Sequence, residues 1–540
     1  MRRLDYRVWL GSFVVVAIFA ICLGRAMFFK IQREQAGGKT VVRFCHYSLQ
    51  PTVRRAFQEV FAEYERRRPD VQVVEMPIPE SAYPQFMRTK LVGGMAPDVV
   101  QLGHHFPGME DLQTAYFAPL TWAVEQPNPY NAGTPSSGRR WRETFVDGLG
   151  SNEAYNAAQH QYYGVSLQVA TIRVHYNVAL LKKITGQTAL PETYEQFIAL
   201  CDRVTAYAQR TGTAVNSMAA SRLSGLLLLS ALFSSVNQRL YFELSRDHSL
   251  ALSPEDYPKA YLRGDWSFAT PSIRVGFGFA ELLGRYMRPG FLQMSQTDAN
   301  FEFLQGQALM LLSFSNDGAS LMEQASFAVK PGIFPLPTPQ HAAYGRYVLG
   351  PVSEAANRGV TTFGVTLGSA HREAALDLLR FLGSVPGNTI FSRYSRFVPV
   401  IEGVRVPPES AVYRPNLAGY PGQFFAAMFG RYFDGLPARY YHLLFAHTGG
   451  AGAYCEQMDK SYAAVAVAGL ERGIREGNRD LRLQELTFLA SCAQEARLPS
   501  GSAGPHSQTA ALAFEQNYAE ARMLQTRFLL HQWRKSPKAE

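Results

Sequence analysis

The sequence lacks the short motifs that mark the common classes of hydrolase and nucleotide-binding enzyme. No GxSxG, HExxH or SxxK pattern occurs in its 540 residues. The segment GGKT (37–40) has no upstream glycine for a phosphate loop, and it precedes a predicted strand instead of following one. The glycines of GFGFAELLG (276–284) have the wrong spacing for a dinucleotide fingerprint and fall in a helical pattern. The sequence therefore favours a protein that is not an enzyme and uses no cofactor.

Cysteine is scarce, and its spacing predicts no metal site. The five cysteines show no CxxC or Cys/His metal spacing; they are Cys22, Cys45, Cys201, Cys455 and Cys492. Four of them lie in the body of the chain, which is enough for disulfides but is no evidence of any. Cys201 falls on the apolar face of a predicted helix, so we expect it to pack in a core.

Basic residues exceed acidic ones and give a formal net charge of +9, but they form no long run. The densest group, residues 66–68, lies before Pro69 at the end of a predicted helix, where cations favour the helix dipole. A second group is isolated and comprises Arg139, Arg140 and Arg142. We interpret the arginines as solvated charges and expect no nucleic-acid partner.

One long apolar run is present, at the N-terminus. Residues 8–24, VWLGSFVVVAIFAICLG, follow three arginines and are closed by Arg25. A cleaved signal peptide and an uncleaved anchor both fit this pattern. The bulky residues after Arg25 offer no small-x-small cleavage site, and Cys22 follows isoleucine where a lipoprotein signal needs a small residue. We therefore expect residues 1–36 to form a transmembrane helix that holds the body on the periplasmic side of the cell membrane.

Strands and helices alternate through the body, which predicts an α/β fold. The predicted strands VVRFCHY (41–47) and VQVVEM (71–76) flank a helical stripe of apolar residues. Further helices are predicted after Thr193, which can form a capping box with Gln196, and after Ser369, which can cap a helix that Gly383 ends. Strand, helix, strand is the unit of a parallel sheet. A chain of 540 residues is also too long for one core of usual size, so we expect two or more domains.

The C-terminal tail departs from this pattern. Residues 498–510, LPSGSAGPHSQTA, have the composition of a linker. A final amphipathic helix is predicted from an apolar stripe made of Phe514, Tyr518, Ala521, Leu524 and Phe528. This helix either docks back on the body or forms an oligomer or partner contact, and the sequence leaves both open.

Polar and aromatic rings follow a short predicted strand at residues 98–102. Two glycines and Pro97 end the preceding helix, and the strand then leads to His104, His105 and Phe106. A metal, a catalytic histidine and a ligand with an apolar face are the alternatives. Adjacent histidines on an extended segment point in opposite directions, which is poor geometry for chelating one metal.

Four segments, read in chain order, carry a family pattern. GGMAPDVVQL (93–102) has a G-x-x-PDV strand entry, and residues 162–204 hold a strand ending in Tyr176-Asn177, a Leu-Lys-Lys helix and the helix after Thr193. FLQGQALMLLSFSNDGASLME (303–323) and the segment 372–400, which ends in FVPV, complete the set. Together they resemble the extracellular solute-binding proteins of ABC importers, family 1, the group that includes maltose-binding protein.

The resemblance implies a two-lobed periplasmic-binding-protein fold with a hinge between the lobes. We expect the first lobe in residues 37–167 and 361–410, the second lobe in 168–360 and 411–497, and a linker with a C-terminal helix in 498–540. The chain is expected to cross between lobes near 166–168, near 361–363 and near 410. Asn316 stands near where many sugar binders carry a tryptophan, and Arg396 replaces a usual glycine. These departures bear on the identity of the ligand.

Polar or aromatic groups end three predicted strands, and ligands bind beyond the carboxyl ends of parallel strands. Rings and paired donors and acceptors suit the faces and hydroxyls of a sugar. The residues predicted to bind the ligand are His46, Tyr47, His104, Phe106, Gln168, Ser315 and Asn316. We expect Gln168 at the hinge and the others on the walls of a cleft, and for Phe106 a position in the core is the open alternative.

The function expected from this resemblance is delivery of an oligosaccharide or similar polyol to an ABC permease in the membrane. One alternative is a ligand-sensing subunit that signals through the anchor or the C-terminal helix. A secreted glycoside hydrolase is another, but it requires paired carboxylates, which cannot be assigned at the predicted rim.

Overall fold

The computed structural model describes residues 38–103, 106, 109–157, 159–245, 252–355, 359–422, 435–445, 449–496 and 503–536. The predicted anchor (1–36) and the histidines His104 and His105 lie outside these ranges. Within them, every helix is too short or too polar to cross a bilayer.

The strands and helices follow one another as the alternating pattern predicts over most of the body. The strands are β1 Thr40–His46, β2 Val71–Pro77, β3 Val99–Gln101, β4 Tyr155–Asn156, β5 Gln161–Tyr162, β6 Val165–Val169, β7 Ile172–Asn177, β8 Asn216–Ala219, β9 Ala308–Phe314, β10 Val329–Gly332, β11 Val352–Ser353, β12 Gly359–Val365, β13 Val398–Pro399 and β14 Tyr420–Pro421. The helices are α1 Pro51–Arg67, α2 Tyr83–Val92, α3 Glu110–Tyr116, α4 Thr121–Val124, α5 Val178–Thr185, α6 Tyr194–Thr211, α7 Arg222–Ser235, α8 Gln238–Leu244, α9 Asp256–Arg263, α10 Pro271–Gly284, α11 Gln296–Leu304, α12 Gly318–Gln324, α13 Arg372–Leu382, α14 Val385–Ser395, α15 Leu436–Phe445, α16 Gly450–Glu495 and α17 Ala503–Arg534.

The first lobe is built on a six-stranded sheet with the order β13-β6-β12-β3-β1-β2. β1 runs parallel to β2 and β3, whereas β12 runs antiparallel to β3 and β6. The sheet is therefore mixed, because a strand from late in the chain inserts between the early parallel strands and the first crossing strand. Helices α1, α13 and α14 cover it with buried apolar side chains. On α13 the residues predicted to face the core, such as Leu378 and Leu382, are fully buried.

The second lobe is built on a four-stranded sheet with the order β10-β7-β9-β8. Its apolar core takes in α6 to α10, including Cys201, which is fully buried as predicted. The thiols of Cys45, Cys201, Cys455 and Cys492 are free.

In the described part of the chain, two connections join the two sheets, and a third leads from the first sheet to the C-terminal helices on the second lobe. β6 belongs to the first sheet and β7 to the second, so the first connection is residues 170–171. The second lies between β10 and β12, and the third follows β13, with Tyr413 at the junction. The lobe boundary predicted between residues 167 and 168 falls inside β6, whose last residues still pair in the first sheet. The boundary predicted between residues 360 and 361 likewise falls inside β12, whose first residues pair with β6 in the first sheet. The boundary near residue 410 stays a prediction.

Two long helices complete the fold at the C-terminus. α16 packs on the core of the second lobe, and α17 runs back along it, with Arg534 bonded to Glu471 and Arg527 donating to Asn478 at 2.8 Å. α17 also reaches both lobes. Its Glu515 pairs with His160 at 3.0 Å beside the β4–β5 hairpin, and its Arg522 lies 2.9 Å from Asp256 on α9.

Two local predictions need correction. Ser369 does not cap α13, which begins at Arg372; the Ser369 hydroxyl instead accepts a bond from the His371 amide and donates one to Asp98. A buried carboxylate from another strand thus competes for the cap. The predicted linker is also shorter than expected, because residues 503–510 are already helical.

Candidate functional site

Three aromatic rings cluster at the edge of the first sheet where β1 and β3 end. Tyr47 follows β1, Phe106 follows β3, and Tyr83 begins α2. The Tyr47 ring lies 4.8 Å from that of Tyr83 and 5.3 Å from that of Phe106, centroid to centroid, both edge to face. Tyr47 and Phe106 are only half-buried. The ends of β1 and β3 thus meet at one edge of the sheet, and the assignment of Tyr47 and Phe106 to a ligand site stays a prediction.

Gln101, the last residue of β3, fixes this aromatic cluster. Its side-chain oxygen accepts a bond from the Tyr47 amide at 3.2 Å, and its backbone oxygen accepts one from the Tyr83 hydroxyl at 2.5 Å. Gly103 follows two residues later and leaves room for the Phe106 ring, because a Cβ atom at this position would lie only 2.6 Å from that ring. Sequence reasoning missed Gln101, although its position at a strand end was the available signal.

The second lobe contributes the turn after β9. The Ser315 amide donates to the backbone oxygen of Thr171 at 2.8 Å, and the Thr171 amide donates to the Ser315 hydroxyl at 3.1 Å. Ser315 is therefore tied to the first connection between the lobes. Asn316 and Asp317 follow it and are partly exposed.

Asp317 links this turn to the first lobe. Burial raises its pKa, and the negative charge of Glu80 adds to that rise, while hydrogen bonds from Ser313, Asn300 and Gln50 oppose it. Gln50 lies at the start of α1 in the first lobe. The charge of Glu80 also contributes to the raised pKa of Tyr47, after burial and the charge of Glu153. The bond from Gln50 therefore places the Asp317 turn against the start of α1, in the space between the lobes, and the charge of Glu80 acts on both Asp317 and Tyr47.

Two amide oxygens in this space have no hydrogen-bond partner within the described ranges. They are Oε1 of Gln50 from the first lobe and Oδ1 of Asn316 from the second, and both atoms are buried. Buried polar atoms are normally bonded, so an unmet acceptor indicates a partner such as a ligand hydroxyl or water. The sequence prediction included Asn316 but missed Gln50, which no motif distinguishes.

His46 does not lie on the rim. Its ring is fully buried, 4.8 Å from the ring of Phe57, and its Nε2 lies 3.0 Å from a carboxylate oxygen of Glu75. Burial raises the pKa of Glu75, but the bond to His46 and the charges of His46 and Arg54 outweigh it and lower the pKa. Because neighbouring residues of a strand point to opposite faces, Tyr47 and His46 cannot both face the cleft.

Gln168 is also buried, next to the β12 strand that it pairs with. Its Nε2 donates to the Thr361 hydroxyl at 2.7 Å, and its Oε1 is unbonded among the described residues. Thr361 has a φ of +56°, which is rare for a β-branched residue. The Gln168 bond therefore holds a strained residue close to the second connection between the lobes, and the assignment of Gln168 to a hinge stays a prediction.

Arg173 joins the connecting segments. Its guanidinium group is 2% exposed and uses all five N–H groups: it donates twice to the carboxylate of Glu354 and once each to backbone oxygens of residues 172, 412 and 414. These acceptors come from three different parts of the chain. Only arginine offers five donors in a fixed plane, so this side chain sets the geometry of the junction.

Other kinds of site have less support within the described residues. No group of three or more His, Cys, Asp or Glu side chains there is arranged to hold a metal ion. The basic clusters are matched by acids: Arg66 and Arg67 pair with Glu63, and Arg142 pairs with Glu125. A surface of paired charges is a poor match for a polyanion.

Comparison with known proteins fits this geometry. The profile of bacterial extracellular solute-binding proteins matches residues 50–389, more than half of the chain. No curated protein matches the chain. Among solved structures, the raffinose complex of the solute-binding protein RafE has a TM-score of 0.51 at 13% identity and covers 79% of this chain and 100% of its own.

Two further structures are similar at the level of the fold. A protein from work on xylan utilization by Caldanaerobius polysaccharolyticus has a TM-score of 0.51 at 16% identity, covering 78% of this chain and 99% of its own. The bacterial solute receptor AcbH, described with a preference for β-D-galactopyranose, has a TM-score of 0.50 at 15% identity, covering 81% and 99%. The resemblance seen in the sequence is confirmed: the chain belongs to the family of bacterial extracellular solute-binding proteins.

Proposed function

We propose that this protein binds a carbohydrate between its two lobes and delivers it to an ABC importer. The observation that carries the proposal is the pair of unbonded, buried amide oxygens of Gln50 and Asn316, which approach one space from opposite lobes. A ligand that bonds to both stabilises the closed arrangement, because it has more contacts there than in an open one.

The chemistry of this space suits a sugar. The half-buried rings of Tyr47 and Phe106 offer an apolar face for the C–H side of a pyranose. Amide and carboxylate oxygens accept bonds from its hydroxyl groups. The fold-level neighbours described with raffinose and β-D-galactopyranose are consistent with this ligand class.

We expect the purified protein to be stabilised by one or more oligosaccharides without converting them. A ligand that binds only the folded state and is present at about 100 times its Kd adds about 2.7 kcal/mol to the free energy of unfolding. Thermal unfolding across a panel of oligosaccharides, amino acids and divalent metals measures this effect. Stabilisation by amino acids or metals alone would contradict the carbohydrate proposal.

Replacing Phe106 with alanine is expected to weaken sugar binding by about 1–3 kcal/mol. Phe106 is half-buried at the edge of the aromatic cluster, so the unliganded variant should keep nearly the same melting temperature. Isothermal titration with the sugar identified by the panel measures the loss.

Phe57→Ala is the matched control for Phe106→Ala. Phe57 is fully buried in the core of the first lobe, so its truncation should cost about 3–5 kcal/mol of stability. Global unfolding of Phe106→Ala, or unchanged affinity, would remove Phe106 from the site.

We also propose that residues 1–36 stay attached and hold the body outside the cytoplasmic membrane. The support is the unbroken apolar run 8–24 and the absence of a small-x-small cleavage site after it. N-terminal sequencing of the mature membrane fraction should begin at or near residue 1. A start near residue 27 or 37 would exclude the anchor.

A glycoside hydrolase is the second candidate, and one observation favours it. The charge of Glu80 contributes to the raised pKa of Asp317. A second carboxylate therefore lies within electrostatic reach of Asp317, and the sequence had not assigned this pair. Release of reducing sugar from a bound oligosaccharide, abolished in Asp317→Asn, would place this function first. Binding without product supports the solute-binding proposal.

A ligand-sensing subunit, the remaining alternative, differs from a transport protein and from a hydrolase in the partner that it needs. Transport requires a permease encoded or purified with this protein, whereas sensing requires a signalling partner. Affinity purification of the full-length protein from its native membrane separates the two, because an ABC permease is expected only for transport.

A further inference from the structure

Helix α17 carries an exposed apolar stripe that faces away from the rest of the chain. Phe514 is 71% exposed, Tyr518 46%, Leu524 60% and Phe528 63%. Ala521 lies exposed in the middle of the stripe. The rings of Phe514 and Tyr518 stack on each other at 6.3 Å. Large apolar groups in one continuous row are typical of a surface that binds a partner.

The opposite face of α17 already docks the helix on the body. Leu512, Thr526 and Leu530 are buried, and Leu530 belongs to the apolar core of the second lobe. The sequence left docking and partner contact as alternatives for the apolar stripe. The stripe itself is not used for docking, so its apolar character needs another explanation.

The charged residues of this part of α17 lie on other rows of the helix. Glu515 pairs with His160, Arg522 with Asp256, and Arg527 donates to Asn478. These charges are engaged within the chain. The stripe between them is uncharged, which lowers the desolvation cost of covering it.

The stripe has the same spacing read from either end. Tyr518 and Leu524 each lie three residues from Ala521, and Phe514 and Phe528 each lie seven residues from it. A two-fold axis through Ala521 therefore places Phe514 against Phe528 of a second copy and Tyr518 against Leu524. The small central residue lets the two helices approach closely. A two-fold interface uses the same patch on both subunits and requires this kind of self-complementarity.

From this symmetry we propose that α17 binds a second copy of the chain in antiparallel orientation, centred on Ala521. With the neighbouring helix α16 of each copy, the contact forms a four-helix bundle. Three leucines of α16 are also exposed: Leu483, Leu486 and Leu489. The proposal does not depend on which solute is bound.

Light scattering of the full-length protein in detergent micelles tests the dimer. We expect a protein mass of two copies for the wild type and one copy for the double variant Phe514→Glu, Phe528→Glu, because buried carboxylates should raise the dimer Kd roughly 100-fold or more. Phe301→Glu is the matched control, since Phe301 is 62% exposed on α11, and it should stay dimeric. A wild-type monomer, or a dimer that survives the double variant, would overturn the proposal.

Cysteine crosslinking locates the axis without disturbing the apolar stripe. In Ala521→Cys the two new thiols meet at the axis, within the Cα separation of about 4.4–6.8 Å that a disulfide needs. Oxidation should give a covalent dimer on a non-reducing gel. Glu520→Cys, on an adjacent exposed row, and the wild-type chain should give none. Equal crosslinking of both variants, or of neither, would exclude a two-fold axis at Ala521.

Discussion

Replacing Arg173 with methionine is expected to lower the free energy of unfolding by about 3–5 kcal/mol. The substitution removes two of the donors to the Glu354 carboxylate, which keeps the Asn416 amide, and the guanidinium donors to three backbone oxygens. Methionine fills a similar volume, so the loss measures the bonds more than the packing. Urea unfolding at neutral pH, followed by tryptophan fluorescence, gives the difference.

Arg472→Met is the matched control for Arg173→Met. Arg472 is 56% exposed and pairs with Glu476 one turn along α16, and such pairs contribute about 0.3–0.5 kcal/mol. Arg173→Lys keeps the charge but loses the planar fork, so an intermediate loss is expected. If Arg173→Met costs no more than Arg472→Met, the junction between the lobes does not depend on this side chain.

Lowering the pH from 7.5 to 5.0 is expected to remove about 2 kcal/mol of stability through His175. The imidazole is fully buried, with Nε2 2.9 Å from the Tyr413 hydroxyl. Burial, helped by the charge of Arg173, lowers the pKa of His175 from 6.5 to about 3. The unfolded chain binds the proton near pH 6.5 and the folded chain only near pH 3. The His175 contribution is therefore complete above pH 6.5 and is lost as the pH falls towards 3, by roughly 4–5 kcal/mol in total.

The variant His175→Gln isolates this effect, because glutamine can accept the Tyr413 bond but does not titrate. Its stability should fall less than that of the wild type between pH 7.5 and 5.0. Tyr413→Phe is the control, since it removes the bond but keeps the buried imidazole, and it should retain the wild-type pH dependence. Equal pH dependence in the wild type and in His175→Gln would show that folding does not lower the pKa of His175.

These two side chains were not predicted from the sequence. Arg173 and His175 alternate along β7 with apolar residues and resemble the polar face of an ordinary half-buried strand. Their importance comes from the segment 412–414, about 240 residues later, which the fold places against that face. Local periodicity carries no information about such a distant partner.

The candidate site was predicted in part. Tyr47, Phe106, Ser315 and Asn316 were proposed from the sequence because each lies at or shortly beyond the end of a strand, where ligands of parallel sheets bind, and their role in binding stays a prediction. Gln50 and Asp317 depend on how closely the two lobes approach each other, and that is a tertiary property. His46 was assigned to the cleft because it ends a strand, but the alternation of the strand turns it into the core.

The sequence by itself determined the α/β class, most helices and strands of the body, the burial of Cys201 and the family pattern. Each of these follows from local spacing, because apolar periodicity and capping residues act over a few positions. Only the tertiary structure decided which face of α17 is covered and which side chains hold the lobes together. The apolar stripe of α17 left docking and partner contact open, and in the structure the body of the protein covers the side with Leu512 and Leu530 and leaves Phe514 and Phe528 exposed. A helix with apolar groups on two faces cannot reveal from its own spacing which of them the rest of the fold will reach.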